Sequence, residues 1–591
     1  MSFLKNLLAS MLGFFLAFIL LFLVGMLVLA SSQRETEPHI RDGSVLNISL
    51  SGTIPERRDD DPFAELFQNK KQNATLTNLR ENITKATVDH RIEGIWLEIN
   101  MLATPWATLE EIRRLLLDFK QESGKFVYAS TDDIGFNEQG YYIATAADSV
   151  YSPPESLFML EGFYVQTPFF NEMLENIGVE VNVLNSGAYK TAYENFTRSD
   201  FSPENAEQLQ AIIDLTADEF LNAVSQKTNI SVADLNEMIN AEPRLTAGFA
   251  YEAGLLDELI YQGDVNDKIE QRIQDMGHSS LHLVQNGRYE NVTRESAGID
   301  RADGNDKVAV MYLDGTIMPE DIGPGQATIT ANNFRDQLDD IKDDDDVKAI
   351  VMRINSPGGS GTTSDLIWKM VKDAADDIPI IASMGPVAAS GGYYIAVAAD
   401  SIIASPNTIT GSIGVISTSF NAQELMNEKL GITFDEVKTH EHANWMTPMG
   451  ELSETEARVF RSFSDDFYDT FLNRVAEGRG MEVEEVHEVA QGRVWTGYDA
   501  HERNLVDLLG GMDLALSTAA EKAGITEYSI ETYPKPKSLI ELFSGSAQMQ
   551  VKNMLTIDYP GKEAIETSRG MLMLDGKPHI LALMPFEIIV Q

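Results

Sequence analysis

The chain has 591 residues, too many for one core, and its 43% apolar and 23% charged content is that of an ordinary globular protein. A net charge of −46 argues against nucleic acid as a partner, since counterion release needs clustered basic residues, and against broad adhesion to anionic lipid. The chain has no cysteine, which excludes a disulfide framework, thiol catalysis and Cys-ligated zinc; no other metal constellation stands out, so neither metal nor cofactor is expected.

The first predicted element is Leu7 to Ala30, an uncharged apolar run of 24 residues after Lys5. As a helix it would span about 36 Å, against a hydrocarbon core of roughly 30 Å. A cleaved signal peptide has a shorter apolar core, so the run reads as an uncleaved anchor rather than a leader cut near Ala30. Lys5 points to a cytoplasmic N-terminus, which puts the rest of the chain on the far side, although Arg34 and Arg41 weaken that charge argument.

Beyond the anchor, short Val/Ile-rich strands alternate with helical segments, and the pattern occurs twice. Gly140–Ser149 (GYYIATAADS) and Gly392–Ser401 (GYYIAVAADS) match at nine of ten positions, at an offset of 252 residues. Ser51-Gly52-Thr53-Ile54 answers Asp314-Gly315-Thr316-Ile317, and Gly94–Asn100 answers Ala349–Asn355. Near the ends, Arg244–Gly248 answers Arg493–Gly497. The chain is therefore a tandem duplication of an α/β unit. In the second copy the elements are a strand at Lys348–Ile354, a helix at Ser364–Ala375, a strand at Ile378–Ser383 and a helix at Gly391–Ala398. Such alternation implies crossover connections and a mainly parallel sheet. The expected division is an anchor at 1–35, a first repeat at 36–290, a linker at 291–306, a second repeat at 307–540 and a tail of unassigned role at 541–591. The connecting polar stretch begins near Asn286, and Asp343–Asp346 reads as a solvated turn.

Two glycine-rich segments of the second copy invite chemistry. Asn355-Ser356-Pro357-Gly358-Gly359-Ser360 follows a strand, where paired glycines let backbone N–H groups face a cavity; alone it reads equally as a plain strand-to-helix turn. Ala388-Ala389-Ser390-Gly391-Gly392 enters a helix. A serine there is ordinarily a cap, but at an active site the same position exposes a hydroxyl beside N–H groups.

Together SPGG (356–359), AASGGYY (388–394) and TGSIGV (410–415) resemble the signal peptide peptidase A family, over roughly residues 43–535 and in its long, duplicated form. The resemblance implies a Clp-protease/crotonase-like fold in each repeat, with Ser390 as nucleophile and Gly358 and Gly391 as oxyanion hole. The family's base is a lysine in a segment like SGxxK. The second copy has no lysine at that place, reading Lys438-Thr439-His440-Glu441-His442-Ala443, whereas the first copy reads Ser186-Gly187-Ala188-Tyr189-Lys190. In the first copy Glu138 stands at the nucleophile position, and Met101-Leu102-Ala103 replaces the glycines. Each copy has thus kept half a site. Lys190 is the expected general base, which burial would have to bring down from a free pKa of about 10.4. Ser412 is the expected hydroxyl orienting it, by resemblance, although a turn serine reads equally well. His440 and His442 are the remaining candidates for a base.

The resemblance further implies peptide substrates, remnant signal peptides above all, a homotetramer, and an inner-membrane protein with its catalytic domains in the periplasm. Two other readings stay open on the residues: a crotonase-type enzyme acting on an acyl thioester, and an inactive membrane scaffold.

Overall fold

The computed structural model describes residues 37–58, 74–132, 134–241, 246–299, 304–321, 327–445, 447–535 and 580–583, together with Gly13, Phe14 and Ala17. The expected anchor, Leu7–Ala30, lies almost wholly outside the described residues, as do Arg244 and Leu245. Among the described residues no helix is long and apolar enough to cross a membrane.

The first repeat runs β1 (Ser44–Gly52), α1 (Leu76–Val88), β2 (Ile92–Leu102), α2 (Trp106–Ser123), β3 (Phe126–Ser130), α3 (Glu138–Ala144), β4 (Ser149–Ser152), β5 (Glu180–Ser186), α4 (Pro203–Thr228), β6 (Glu258–Leu259), α5 (Gln262–Asp275) and β7 (His282–Gln285). Its sheet has the order β6-β4-β3-β2-β1-β7, with every neighbouring pair parallel. Both faces are covered, as crossover helices require. Leu46, Ile48 and Leu50 of β1 enter a core with α1 and α2, while Val45 turns to the other face with Trp96, Phe126 and α5.

The second repeat runs β8 (Lys307–Asp314), α6 (Ala331–Lys342), β9 (Val347–Ser356), β10 (Gly358–Ser360), α7 (Gly361–Ala375), β11 (Ile380–Ala389), α8 (Gly391–Ala396), β12 (Ser401–Ala404), β13 (Ile409–Gly411), β14 (Val415–Asn421), α9 (Glu454–Arg479), β15 (Val494–Thr496), β16 (Leu508–Leu509), α10 (Met512–Ala523) and β17 (Ser529–Tyr533). The main sheet has eight strands: β16-β12-β11-β9-β8-β17 repeats the parallel order of the first, and β13, also beside β11, carries β15 antiparallel at the edge. Ala309, Met311 and Leu313 of β8 face one core; Val308, Val310 and Tyr312 face another, closed by Met512, Ala515, Leu516 and Ala519 of α10. Burial on both faces is why these strands read as continuous apolar runs rather than alternating ones.

The matched decapeptides have a structural role in both repeats. Tyr141 and Tyr393 donate their hydroxyls to the Leu255 and Leu505 carbonyls. Asp148 and Asp400 accept from the N–H of Val127 and Ile380, each at 2.8 Å, tying the helix exit to the start of a neighbouring strand.

Several boundaries differ from the sequence reading. β11 continues past Ser383 to Ala389 and delivers the chain directly to Ser390, because an irregularity absorbs Gly385–Val387 between the pairs Ile354–Met384 and Ser356–Ala388. The glycine pair at 358–359 is no plain turn; it forms the short strand β10. The helix expected from Ser364 begins at Gly361, capped by Ser360 Oγ accepting from Thr363 N–H, and the helix expected to reach Ala398 stops at Ala396. Within the acidic turn, Asp344 is held by Lys307 Nζ at 2.7 Å instead of being simply solvated. The expected linker is no free chain at its start: Val292 and Ala297 are buried in the first core, and Lys85 Nζ donates to the Val292 carbonyl. Inside the tail, Ile580–Leu583 forms a strand, β18.

A further sheet joins the repeats. It contains β10, β18, β14 and β5 in that order, with Thr316–Ile317 and Thr328–Ile329 beyond β10. β5 of the first repeat runs antiparallel to β14 of the second over seven pairs, from Ser186–Val415 to Glu180–Asn421.

Candidate active site

The β5–β14 ladder carries the first repeat's chain to the second repeat's glycine turns. At its end Gly187 adopts φ +115°, and a Cβ there would stand 2.3 Å from the Gln491 carbonyl carbon. Tyr189 N–H then donates to the Gln491 carbonyl at 2.9 Å. Gly492 presses against the next residue: a Cβ on it would lie 2.4 Å from Lys190 Cβ. The glycine of SGAYK and the glycine of Gln491-Gly492 are therefore both needed for the same close approach. From the other side, Gln208 of α4 donates to Thr191 Oγ1 and accepts from Val494 N–H, clamping the segment after Lys190 onto β15.

Lys190 is fully buried by this docking, and so are Ser390 and Ser412. Its Nζ lies 2.8 Å from Ser390 Oγ, 2.9 Å from Ser412 Oγ and 2.9 Å from the Ser412 carbonyl oxygen. Burial holds the amine well below the usual lysine pKa. All three partners are oxygens, and the lowered pKa favours the neutral amine, whose lone pair could accept the Ser390 hydroxyl proton while its N–H bonds serve the two oxygens of Ser412.

Ser390 stands at the N-cap position of α8 but does not cap it with its side chain. Its backbone sits at φ +54°, ψ −113°, a strained conformation for a side chain with a Cβ, and its hydroxyl makes no capping bond. Its N–H donates to the Gly411 carbonyl at 2.8 Å, fixing β11 against β13 at the point where the chain turns into α8. Ser412 also has a positive φ, +50°, and its N–H donates to the Arg493 carbonyl at 2.7 Å. That bond turns Ser412 Oγ and its carbonyl to the same side, toward Lys190. The turn reading and the orienting reading of Ser412 thus describe one geometry.

Beside Ser390, the backbones of β10 and α8 nearly touch. A Cβ on Gly391 would meet Ser364 Oγ at 2.6 Å and Gly358 Cα at 3.2 Å; one on Gly392 would meet the Ser356 carbonyl oxygen at 2.8 Å. Gly358 has φ +99°, and its N–H donates to Ser356 Oγ at 3.2 Å. The sequence candidates Ser390, Lys190, Ser412, Gly358 and Gly391 therefore converge. His440 and His442 do not join them: His440 bonds Thr439, and His442 packs edge-on against Trp445 on an exposed stretch. Glu138, at the nucleophile's place in the first repeat, accepts from the Glu161 N–H, and burial raises its pKa.

Sequence reasoning missed Gln491, Gly492 and Gln208. A turn-forming Gln-Gly pair before the matched Arg493–Gly497 segment was the one available signal. It also missed the ion cluster that locks the repeats together. Buried Arg353 of β9 donates to Glu111 of α2 at 2.6 Å and to Glu56 at 2.9 Å, and Glu111 is also bonded by Arg80. Burial would raise the Glu111 carboxyl, but Arg353 and Arg80 outweigh it and hold the pKa low. Among the described residues no group of acidic or histidine side chains is arranged to hold a metal ion.

The model of peptidase family S49 matches residues 119–274 and 372–526, one stretch in each repeat. The chloroplastic serine protease SPPA of Arabidopsis thaliana is 34% identical over 82% of this chain and 70% of its own length. Protease 4 of Salmonella typhi is 29% identical over 92% of this chain and 88% of its own. Among solved structures, the 1510-N membrane-bound stomatin-specific protease is similar at 14% identity and a TM-score of 0.25, covering 39% of this chain and 98% of that one. Matched once in each repeat, and along most of the length of its curated relatives, the chain is a serine peptidase and belongs to peptidase family S49, the signal peptide peptidase A family in its duplicated form.

Proposed function

We propose that the chain is a membrane-anchored endopeptidase that degrades remnant signal peptides, with Ser390 as nucleophile and Lys190 as general base. The observation that carries this reading is the 2.8 Å contact between a buried, neutral-favouring amine and a strained serine hydroxyl. Lys190 takes the proton as Ser390 Oγ attacks a peptide carbonyl. The N–H groups of Gly358 and Gly391 receive the developing oxyanion, which requires the Gly358 N–H to exchange Ser356 Oγ for substrate oxygen. Lys190, now protonated, passes its proton to the leaving amine. Water then attacks the acyl-enzyme, with Lys190 again as base, and releases the acid. Ser412 holds the amine toward Ser390 throughout.

The apolar run at Leu7–Ala30 supports an anchor that keeps this site near the bilayer, in the inner membrane with the repeats on the periplasmic side. Each repeat is read as a Clp-protease/crotonase-like unit, and the assembly as a homotetramer, both on family grounds. A fluorophosphonate probe tests the reading. The wild-type chain should be labelled and should hydrolyse signal-peptide-like substrates, and Ser390→Ala should do neither. A wild-type chain that is folded, unlabelled and inert would return the scaffold reading.

A further inference from the structure

One residue of the second repeat reaches both Ser412 and the segment that carries Lys190. The Arg493 carbonyl accepts the Ser412 N–H at 2.7 Å, and the Gly492 N–H donates to the Ile413 carbonyl at 2.7 Å, so this pair of residues fixes the turn that aims Ser412. The side chain of Arg493 reaches the first repeat. Its Cζ lies 4.7 Å from the ring centre of Tyr189, the residue before Lys190, and 4.3 Å from that of Trp495. Its Nη1 pairs with Glu207 Oε1 of α4 at 2.7 Å, and Glu207 Oε2 accepts the Tyr189 hydroxyl at 2.9 Å. Tyr189, Glu207 and Arg493 thus close a loop of contacts across the boundary between the repeats.

The loop is anchored on the serine side as well. Trp495 is buried, and its Nε1 donates to the Val489 carbonyl at 2.8 Å. Gly411 passes so close that a Cβ on it would stand 2.8 Å from Trp495 Cδ1, and the Gly411 carbonyl is the one that holds the Ser390 N–H. Arg503 lies 3.9 Å from the Trp495 ring centre and is itself paired with Asp499 at 3.0 Å. In the first repeat Thr246 stands where the second has Trp495, so the sequence provides this aromatic only beside the serine. A guanidinium over aromatic faces is a planar, directional contact that gains strength as water is excluded.

We propose that Arg493 is a positioning residue for the dyad: its guanidinium, seated on Tyr189 and Trp495, holds the lysine-bearing turn of the first repeat against the serine-bearing strands of the second. The inference rests on the peptidase reading above and adds the side chain that keeps the amine in place.

The test uses the full chain with Arg493→Met, which removes the guanidinium and keeps the main-chain carbonyl. kcat should fall about tenfold with KM within about twofold, and the acid limb of the pH profile should move to higher pH, because a looser turn admits water to the amine. Tyr189→Ala leaves the charge in place and should reproduce both changes, while Tyr189→Phe should restore most of the loss. The Tyr189→Ala/Arg493→Met pair should cost little more than either change alone. Should Arg493→Met melt below the assay temperature, the two Tyr189 variants decide the matter.

A second measurement needs no activity. The pH at which Lys190→Met begins to alter the pH dependence of urea stability marks the folded-state titration of the amine, and this onset should lie higher in an Arg493→Met background. An acid limb and an onset that stay in place, or kcat losses that simply add, would overturn the proposal and leave Arg493 a structural residue. A wild-type chain inert on every peptide, with the onset still moved by Arg493→Met, would keep the positioning role and sink the peptidase reading instead.

Discussion

Lys190 Nζ and Ser390 Oγ stand 2.8 Å apart although 200 residues and two repeats separate them in the chain. Neither repeat holds both groups, so they meet only when β5 is zipped to β14 and the Gly187–Lys190 turn is seated on Gln491-Gly492. Ser390→Ala and Lys190→Ala should each lower kcat by about three orders of magnitude or more. The double substitution should cost little beyond either single one, because the two groups act as a unit. Single-turnover assays on equally folded proteins would check this. Lys190→Arg should be as inactive as the alanine variant, since a guanidinium does not deprotonate.

The depressed pKa of Lys190 sets the direction of the pH profile. Activity should be present above the folded-state pKa and lost, with unit slope in log(kcat/KM), as pH falls through it. Stability should follow a related course. Between the folded and unfolded pKa values the unfolded chain binds one proton more, so this group makes stability rise with pH, by up to about 1.4 kcal/mol per unit. Lys190→Met should flatten that dependence in urea titrations run at several pH values. An unchanged slope would mean that the amine is not held neutral.

Ser412 donates no proton in the reaction but gives Lys190 two of its three contacts. Ser412→Ala removes Oγ and keeps the carbonyl. The expected result is a kcat about tenfold lower, the size of one hydrogen bond, and an acid limb displaced from the wild-type position. A purely structural serine would lower the melting temperature and leave the acid limb where it was.

Gly492→Ala places a methyl 2.4 Å from Lys190 Cβ on a backbone with φ +80°. The nearest atoms are the backbone N and Cα and the Cβ of Lys190, which have little freedom to give. The variant should therefore displace the amine from Ser390 and lose at least about a hundredfold in kcat/KM, since ångström-scale misplacement of a reacting group costs that much. Labelling of Ser390 by a fluorophosphonate would slow with it, although neither residue of the dyad has been changed.

Arg353 tests the lock between the repeats. Arg353→Met leaves Glu111 buried with Arg80 as its remaining cation, and should destabilise the chain by about 3–5 kcal/mol at neutral pH. In the wild type, the low carboxyl pKa of Glu111 contributes stability that is present above its unfolded value and lost as pH falls through the folded one. Acid should therefore loosen the repeats and abolish the split site, and activity should fall with the melting transition. Thermal melts of both proteins between pH 3 and 7 would show whether the acid sensitivity is carried by this cluster.

What the sequence by itself determined is the duplication, and which repeat holds the serine and which the lysine. The decapeptides that begin at Gly140 and Gly392 repeat because their tyrosines and aspartates make the same helix-to-strand bonds in both units. Ser390, Lys190 and the glycines were legible because chemistry restricts residue type at those points, and each copy retained only its own half. What the tertiary structure alone decided are the contacts made across long separations. The docking that buries Lys190 comes from Gln491, Gly492 and Gln208, which no local pattern connects to Lys190. Likewise, Arg353 reads as one charge in an apolar strand until Glu56 and Glu111 of the other repeat arrive beside it. The tail strand is the clearest case. Backbone hydrogen bonding is indifferent to side-chain identity, so no signal in Ile580–Leu583 announces that β10 and β14 are its neighbours.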